Sequence, residues 1–261
     1  MADTKYTGSK STQRLAGKRT LITGAGGLMG SDFARAFAAE GADVVLTTRT
    51  ATKLEPLVEE LRGLGVKAAA VAADFTKDND VDHLADTAWN AFGGIDVVLF
   101  SSQPPNPNLG DLLTTPDSAW HEQQQAIVWG PLRLMRRLAP KMITAGGGSI
   151  ITVISATGLE PIPGYDAYGM AKGALWLLTR YMAKEWGKHG IRANALNPGL
   201  IATGDNAEAL EQTVRKAGML NRTSLDRVGR NHECIGAAIY LASDEASFTS
   251  GQRISIDGGR F

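Results

Sequence analysis

The chain has 261 residues, 43% hydrophobic and 21% charged, with 27 basic side chains against 27 acidic ones. That length can bury a substantial core, and the zero net charge excludes the basic excess of a nucleic-acid binder. No apolar run approaches the roughly 20 residues of a membrane span, so a soluble, cytoplasmic protein with no membrane partner is expected. The single cysteine, Cys234, allows no internal disulfide and reads as a small buried apolar residue in a reducing compartment.

The polar start, residues 1–13, reads as a flexible tail with neither a signal sequence nor an anchor. From there, short Val/Ile/Leu-rich runs alternate with helical patterns. Strand one is Arg19–Thr23, followed by a glycine turn and a helix that ends at Gly41. Strand two is Asp43–Thr48 and strand three Val66–Asp74, each with a helical pattern beside it. Strand four is Asp96–Ser102. The stretch Ser118–Met142 reads as one long helix with a kink at Pro131. Strand five is Ser149–Ser155, followed by a helix from Tyr168 to about Gly190. Strand six is Ile191–Leu196, then come a helix over Asn231–Ser243 and strand seven at Gln252–Asp257. Strands buried on both faces and separated by helices build parallel sheets with right-handed crossovers. The expected fold is α/β: a single-domain, doubly wound Rossmann fold over residues 14–261, with about seven parallel strands flanked by helices. The irregular stretch 199–225 is expected to form a partly helical flap over a site.

The first strand, turn and helix carry Gly24, Gly27 and Gly30. Glycines there allow a tight turn and close approach of a pyrophosphate to the helix N-terminus. About 20 residues on, NAD enzymes place a carboxylate for the ribose hydroxyls. Here the place reads VVLTTRTATK, without a carboxylate. Arg49 suits a ribose 2′-phosphate, and Thr48 can add a hydrogen bond. NADP(H) is favoured, and NAD(H) stays open. No metal site is expected.

At this point the chain resembles the short-chain dehydrogenase/reductase family over about Leu15 to Gly259. The motifs are the glycine turn, AADFT after strand three, Ser155, YGMAK, IRANALNPGLIAT and LASDEASFTSGQRISIDGG. Ser155 stands 13 residues before Tyr168, the family's serine-to-tyrosine spacing. Tyr168 and Lys172 are i and i+4 on one helix face, whereas Tyr165 has no lysine at that spacing. The resemblance implies that Ser155, Tyr168 and Lys172 are catalytic and that the substrate is a small carbonyl or alcohol. Tyr168 would exchange a proton with the substrate oxygen, its pKa lowered by the Lys172 ammonium and the nicotinamide. Lys172 would also hold the nicotinamide ribose. Asp74 and Phe75 match the family's adenine contact. Pro198, Gly199, Ile201 and Thr203 join the cofactor-binding set, with Thr203 at the nicotinamide amide.

Three positions depart from the family pattern. Leu28 stands where the glycine turn has its middle glycine. FSSQ replaces Asn-Asn-Ala-Gly after strand four, with Ser101 and Ser102 as substitutes for its cofactor contacts. Ile127 stands where an asparagine supports a water relay to the lysine. Two other readings therefore stay open: a non-redox lyase resembling halohydrin dehalogenases, and a nucleotide-binding member without turnover. Leu159, Tyr165, Leu200 and Met219 are expected to border an apolar substrate pocket. The resemblance also implies a homotetramer, or a homodimer, built on the two long helices.

Overall fold

The computed structural model describes residues 13–104, 110–202, 204 and 207–260, so the expected tail lies outside it apart from Gln13. Among these residues one parallel sheet contains seven strands. They are β1 (Arg19–Thr23), β2 (Asp43–Thr48), β3 (Ala68–Ala72), β4 (Val97–Phe100), β5 (Gly148–Val153), β6 (Ile191–Pro198) and β9 (Arg253–Ile256). The spatial order is β3-β2-β1-β4-β5-β6-β9. β1 pairs with both β2 and β4, so Thr23 stands beside Thr47 on one side and Phe100 on the other. The winding reverses between β1 and β4. In such sheets this reversal opens a crevice at the carboxyl ends of the strands.

Alternate residues of each strand feed opposite layers, as the pleat requires. Ile22, Val44, Leu46 and Leu99 pack on one face against α1 (Leu28–Ala39), α2 (Glu55–Arg62) and α8 (Ile235–Ala242). Leu21, Val45, Val71 and Val98 pack on the other against α3 (Asp78–Phe92) and α5 (Gly130–Thr144). The helix α6 (Asp166–Trp186) covers β5 and β6 on that second side. Cys234 is fully buried among the apolar residues of the first layer, as expected.

Several boundaries differ from the sequence reading. β3 and β4 are shorter at both ends than Val66–Asp74 and Asp96–Ser102, β5 starts one residue before Ser149 and stops two short of Ser155, and β6 runs on to Pro198. The expected long helix is interrupted. α4 (Asp117–Gln124) passes into a wide turn at Gln125–Trp129 before α5 begins. The Gly130 N–H there bonds the carbonyl of Gln125, an i→i+5 bond. The break is thus a π-type bulge. Pro131 directly follows the bulge, and without an N–H it cannot bond the Ile127 carbonyl one turn back. The stretch after β6 is more ordered than an irregular flap. It holds β7 (Ile201–Ala202), α7 (Ala207–Lys216) and a short turn at Met219–Arg222, and β7 pairs with β8 (Gly229–Arg230).

Candidate active site

A cleft of about 610 Å³ opens at the carboxyl ends of β2, β4, β5 and β6. One end is the glycine turn. Gly24 has φ +69°, and the Gly27 N–H bonds its carbonyl at 3.0 Å. A Cβ on Gly24 would lie 2.7 Å from the Ser101 carbonyl oxygen, so only glycine lets the turn meet the segment after β4. A Cβ on Gly30 would collide with the carbonyl of Gly24. The first turn of α1 therefore sits directly on the loop, where its free N–H groups suit a pyrophosphate. The Thr23 hydroxyl accepts from the main-chain N–H groups of Ser101 and Ser102 at 3.2 and 3.3 Å. Those two serines thus leave the strand and line the cleft.

Beyond the turn, Thr48, Arg49, Lys53, Asp74 and Phe75 line the same cleft. Arg49 is exposed, and no ion pair engages it among the described residues. The Thr47 hydroxyl is buried in the cleft wall and has no hydrogen-bond partner among them. A phosphate-sized turn, an orphaned hydroxyl and a free guanidinium fit a nicotinamide dinucleotide. When bound, such a cofactor supplies or accepts a hydride.

The other end of the cleft carries Ser155, Tyr168 and Lys172. Ser155 follows β5 and opens a tight turn at Ala156–Gly158. Its hydroxyl oxygen accepts from the Thr157 N–H at 3.3 Å and from the Thr157 hydroxyl at 2.9 Å. The Ser155 proton is left to donate. A Cβ on Gly158 would lie 2.6 Å from the Gly173 nitrogen, so this turn packs against α6 at van der Waals distance. Tyr168 and Lys172 stand one turn apart near the start of α6. The Lys172 Nζ donates to the carbonyl of Val153 at 2.7 Å and lies 5.5 Å from the centre of the Tyr168 ring. The Tyr168 hydroxyl donates to Oε1 of Gln103 at 3.2 Å.

The family model described as enoyl-(acyl carrier protein) reductase matches residues 24–260. The human protein called dehydrogenase/reductase SDR family member 4 is 31% identical over 245 residues, covering 94% of this chain and 88% of that one. The chain belongs to the short-chain dehydrogenase/reductase family. Two solved structures agree in fold. A 7α-hydroxysteroid dehydrogenase complexed with NADH and 7-oxo glycochenodeoxycholic acid is 30% identical, with a TM-score of 0.86, covering 97% of this chain and 98% of that one. A gluconate 5-dehydrogenase from Burkholderia cenocepacia in complex with NADP and tartrate is 30% identical, with a TM-score of 0.87, covering 95% and 97%. This short-chain dehydrogenase/reductase is an NAD(P)-dependent oxidoreductase acting on CH–OH groups.

The cleft of this dehydrogenase/reductase gathers Gly24, Gly27, Leu28, Gly30, Thr48, Arg49, Asp74, Phe75, Ser101, Ser102, Ser155, Tyr168, Lys172, Pro198, Gly199 and Ile201. Leu28 is 56% exposed and reaches towards Gly204 at the start of the flap. Thr203 lies outside the described residues. Leu159, Tyr165, Leu200 and Met219 do not line the cleft. Tyr165 stands edge-on to Tyr168, with ring centres 6.4 Å apart. Leu200 and Met219 pack on the apolar cluster of Ala202, Ala207, Val214, Leu220 and Val228 under the flap helix. Sequence reading missed Thr157 and Gln103. A hydroxyl two residues after Ser155 is a local signal for a side-chain turn, but Gln103 meets Tyr168 only through the fold.

Burial sets the charge state of the cofactor-free protein. Burial pushes the Tyr168 phenol up to about 12, against the pull of a hydrogen bond with Ser155. Burial pushes Lys172, only 2% exposed, down to about 7. In the free protein the pair therefore keeps its proton on the phenol, and the lysine titrates near neutrality. Stability follows with a definite sign. Below pH 7 the folded and unfolded chains both hold the lysine proton, and the cost of a buried ammonium is fully present. Between about 7 and the ordinary 10.5 only the unfolded chain holds it, so stability rises with pH. The slope is at most about 1.4 kcal/mol per pH unit. The cofactor-free protein is expected to show a higher urea midpoint near pH 9 than at pH 7. Lys172→Met should remove most of that rise, and an equal rise in both proteins would contradict the buried-ammonium account.

Proposed function

We propose that the protein interconverts a carbonyl and a secondary alcohol with NADP(H), using Tyr168 as the acid/base. The observation that carries this reading is one cleft that joins Ser155, Tyr168 and Lys172 to the glycine turn and to an unpaired Arg49. Bound in it, the cofactor would exchange a hydride with the substrate carbon. In reduction Tyr168 gives its proton to the carbonyl oxygen, and in oxidation it takes one from the alcohol. The Ser155 hydroxyl, oriented by Thr157, donates to the same oxygen and holds it in place. Lys172 anchors α6 to the end of β5, 5.5 Å from the centre of the Tyr168 ring, and would hold the nicotinamide ribose. Arg49 and Thr48 would hold the ribose 2′-phosphate, and Asp74 and Phe75 would hold the adenine.

Further proposals follow from the surface. The single domain of residues 14–261 works in the cytoplasm as a homotetramer or homodimer, and the exposed Met170, Leu177 and Tyr181 on α6 support such an interface. No helix among the described residues is long and apolar enough to cross a membrane. Leu159 and Tyr165, both exposed, border the substrate mouth, with Tyr165 edge-on to Tyr168. Titration of cofactor fluorescence tests the reading most simply. NADPH should bind tighter than NADH, and tighter NADH binding would reverse the cofactor assignment.

Ile127 bears on whether the machinery turns over. Its side chain is buried against Ile154, Ala171, Leu175 and Ala195, beside Tyr168. It lies within the wide turn at Gln125–Trp129, where the regular carbonyl ladder is interrupted. A relay of water to Lys172 therefore runs through a main-chain carbonyl here, not through the side chain. Ile127→Asn should change kcat by less than about threefold, under 1 kcal/mol of barrier. It should cost about 1–3 kcal/mol of stability through an unpaired buried amide. A tenfold gain in kcat would show that the natural chain lacks a working relay.

A further inference from the structure

We infer that Gln103 is a specificity-determining residue that accepts a hydrogen bond from a hydroxyl next to the reacting carbonyl, so that the site selects α-hydroxy ketones over plain ketones. The inference rests on the carbonyl chemistry proposed above. Gln103 follows β4 and lines the cleft with Ser155, Tyr168 and Lys172. Its Oε1 takes the only hydrogen of the Tyr168 hydroxyl, at 3.2 Å. That hydrogen is the one a carbonyl oxygen must receive during reduction, and one hydrogen cannot serve two acceptors. When it turns to the substrate, the amide oxygen of Gln103 loses its donor underneath the bound ligand. An alkyl group in that place leaves the oxygen unpaired, which disfavours the complex. A hydroxyl restores the bond.

The distances agree with this role. Two partners of one phenol oxygen lie about 5 Å apart at an ordinary hydrogen-bond angle. A hydroxyl on the carbon beside the carbonyl extends from the substrate oxygen into that gap and donates to Oε1. A second carbonyl in the same place brings no hydrogen and meets the amide oxygen as one acceptor meets another. Gln103 is exposed in the free protein, so the discrimination arises once the bound ligand keeps water from its amide oxygen.

The test uses matched pairs with NADPH: 3-hydroxybutan-2-one against butan-2-one, and 2-hydroxyacetophenone against acetophenone. In the wild type, kcat/KM should favour the hydroxy ketone about ten- to a hundredfold. Gln103→Met should collapse that preference, acting mainly on the hydroxy ketone, with NADPH affinity unchanged. Gln103→Glu, which still accepts, should keep the preference. Intrinsic differences in carbonyl reactivity cancel when the ratio is compared between wild type and variant. An unchanged ratio in Gln103→Met overturns the inference while the carbonyl reading stands. So does a wild type that prefers butane-2,3-dione, or one that binds NADPH but reduces neither hydroxy ketone. A protein that binds neither NADPH nor NADH would instead refute the underlying reading.

Discussion

Tyr168→Phe is expected to lower kcat by about 10²–10⁴-fold, the usual contribution of a positioned acid. Cofactor affinity should stay close to that of the wild type, because only one hydroxyl is removed and the ring keeps its packing beside Ile154, Ala171 and Leu175. The loss should appear equally in kcat and kcat/KM, the signature of an interaction made in the transition state. Tyr165→Phe serves as the control. Tyr165 is 40% exposed and touches only the edge of Tyr168, so its hydroxyl should affect substrate affinity at most. Steady-state kinetics on a reducible ketone decides the matter. More than about a tenth of wild-type activity in Tyr168→Phe would remove that residue from the acid role.

Arg49→Ala should weaken NADPH binding by about 1.5–3 kcal/mol, the range for a hydrogen bond to a charged group. NADH affinity should barely change, because NADH has no 2′-phosphate. The geometry makes the comparison clean. Arg49 follows β2 at the rim of the cleft, exposed and held by no ion pair among the described residues, so its removal strands no buried charge. Its nearest electrostatic influence is on Asp74, whose carboxyl falls below its ordinary value despite burial, chiefly through its bonds to Thr76 and then the Lys77 and Arg49 charges. Dissociation constants for both cofactors provide the check. Equal losses for NADPH and NADH would assign Arg49 a general rather than a phosphate-specific role.

Much of this architecture is legible in the sequence because its strands are buried on both faces. Runs such as Val44–Leu46 and Val97–Leu99 are continuously apolar, and each lies inside the parallel sheet. The glycine turn is legible for a steric reason, since the sites of Gly24 and Gly30 leave no room for a Cβ. What sequence reading missed depends on contacts between distant residues. β4 stops at Phe100 because the Thr23 hydroxyl captures the next two N–H groups, across 78 residues of chain. Pro131 marks the place of the break, and its form, an i→i+5 turn just before the proline, shows only in the structure. The phenol was expected to be acidified by Lys172. In the cofactor-free protein both groups are buried together, and burial raises one pKa as it lowers the other. Gln103 was visible only as part of an unusual FSSQ, and its contact with Tyr168 spans 65 residues.

A hydride is expected to pass between the cofactor and a substrate carbon beside Tyr168. Mass spectrometry of the alcohol formed with C4-deuterated NADPH tests it most directly, using the hydride-bearing diastereomer of either face. The account predicts one deuterium on the carbinol carbon from one of the two diastereomers and a solvent-derived proton on oxygen. An alcohol formed without deuterium from either would contradict it.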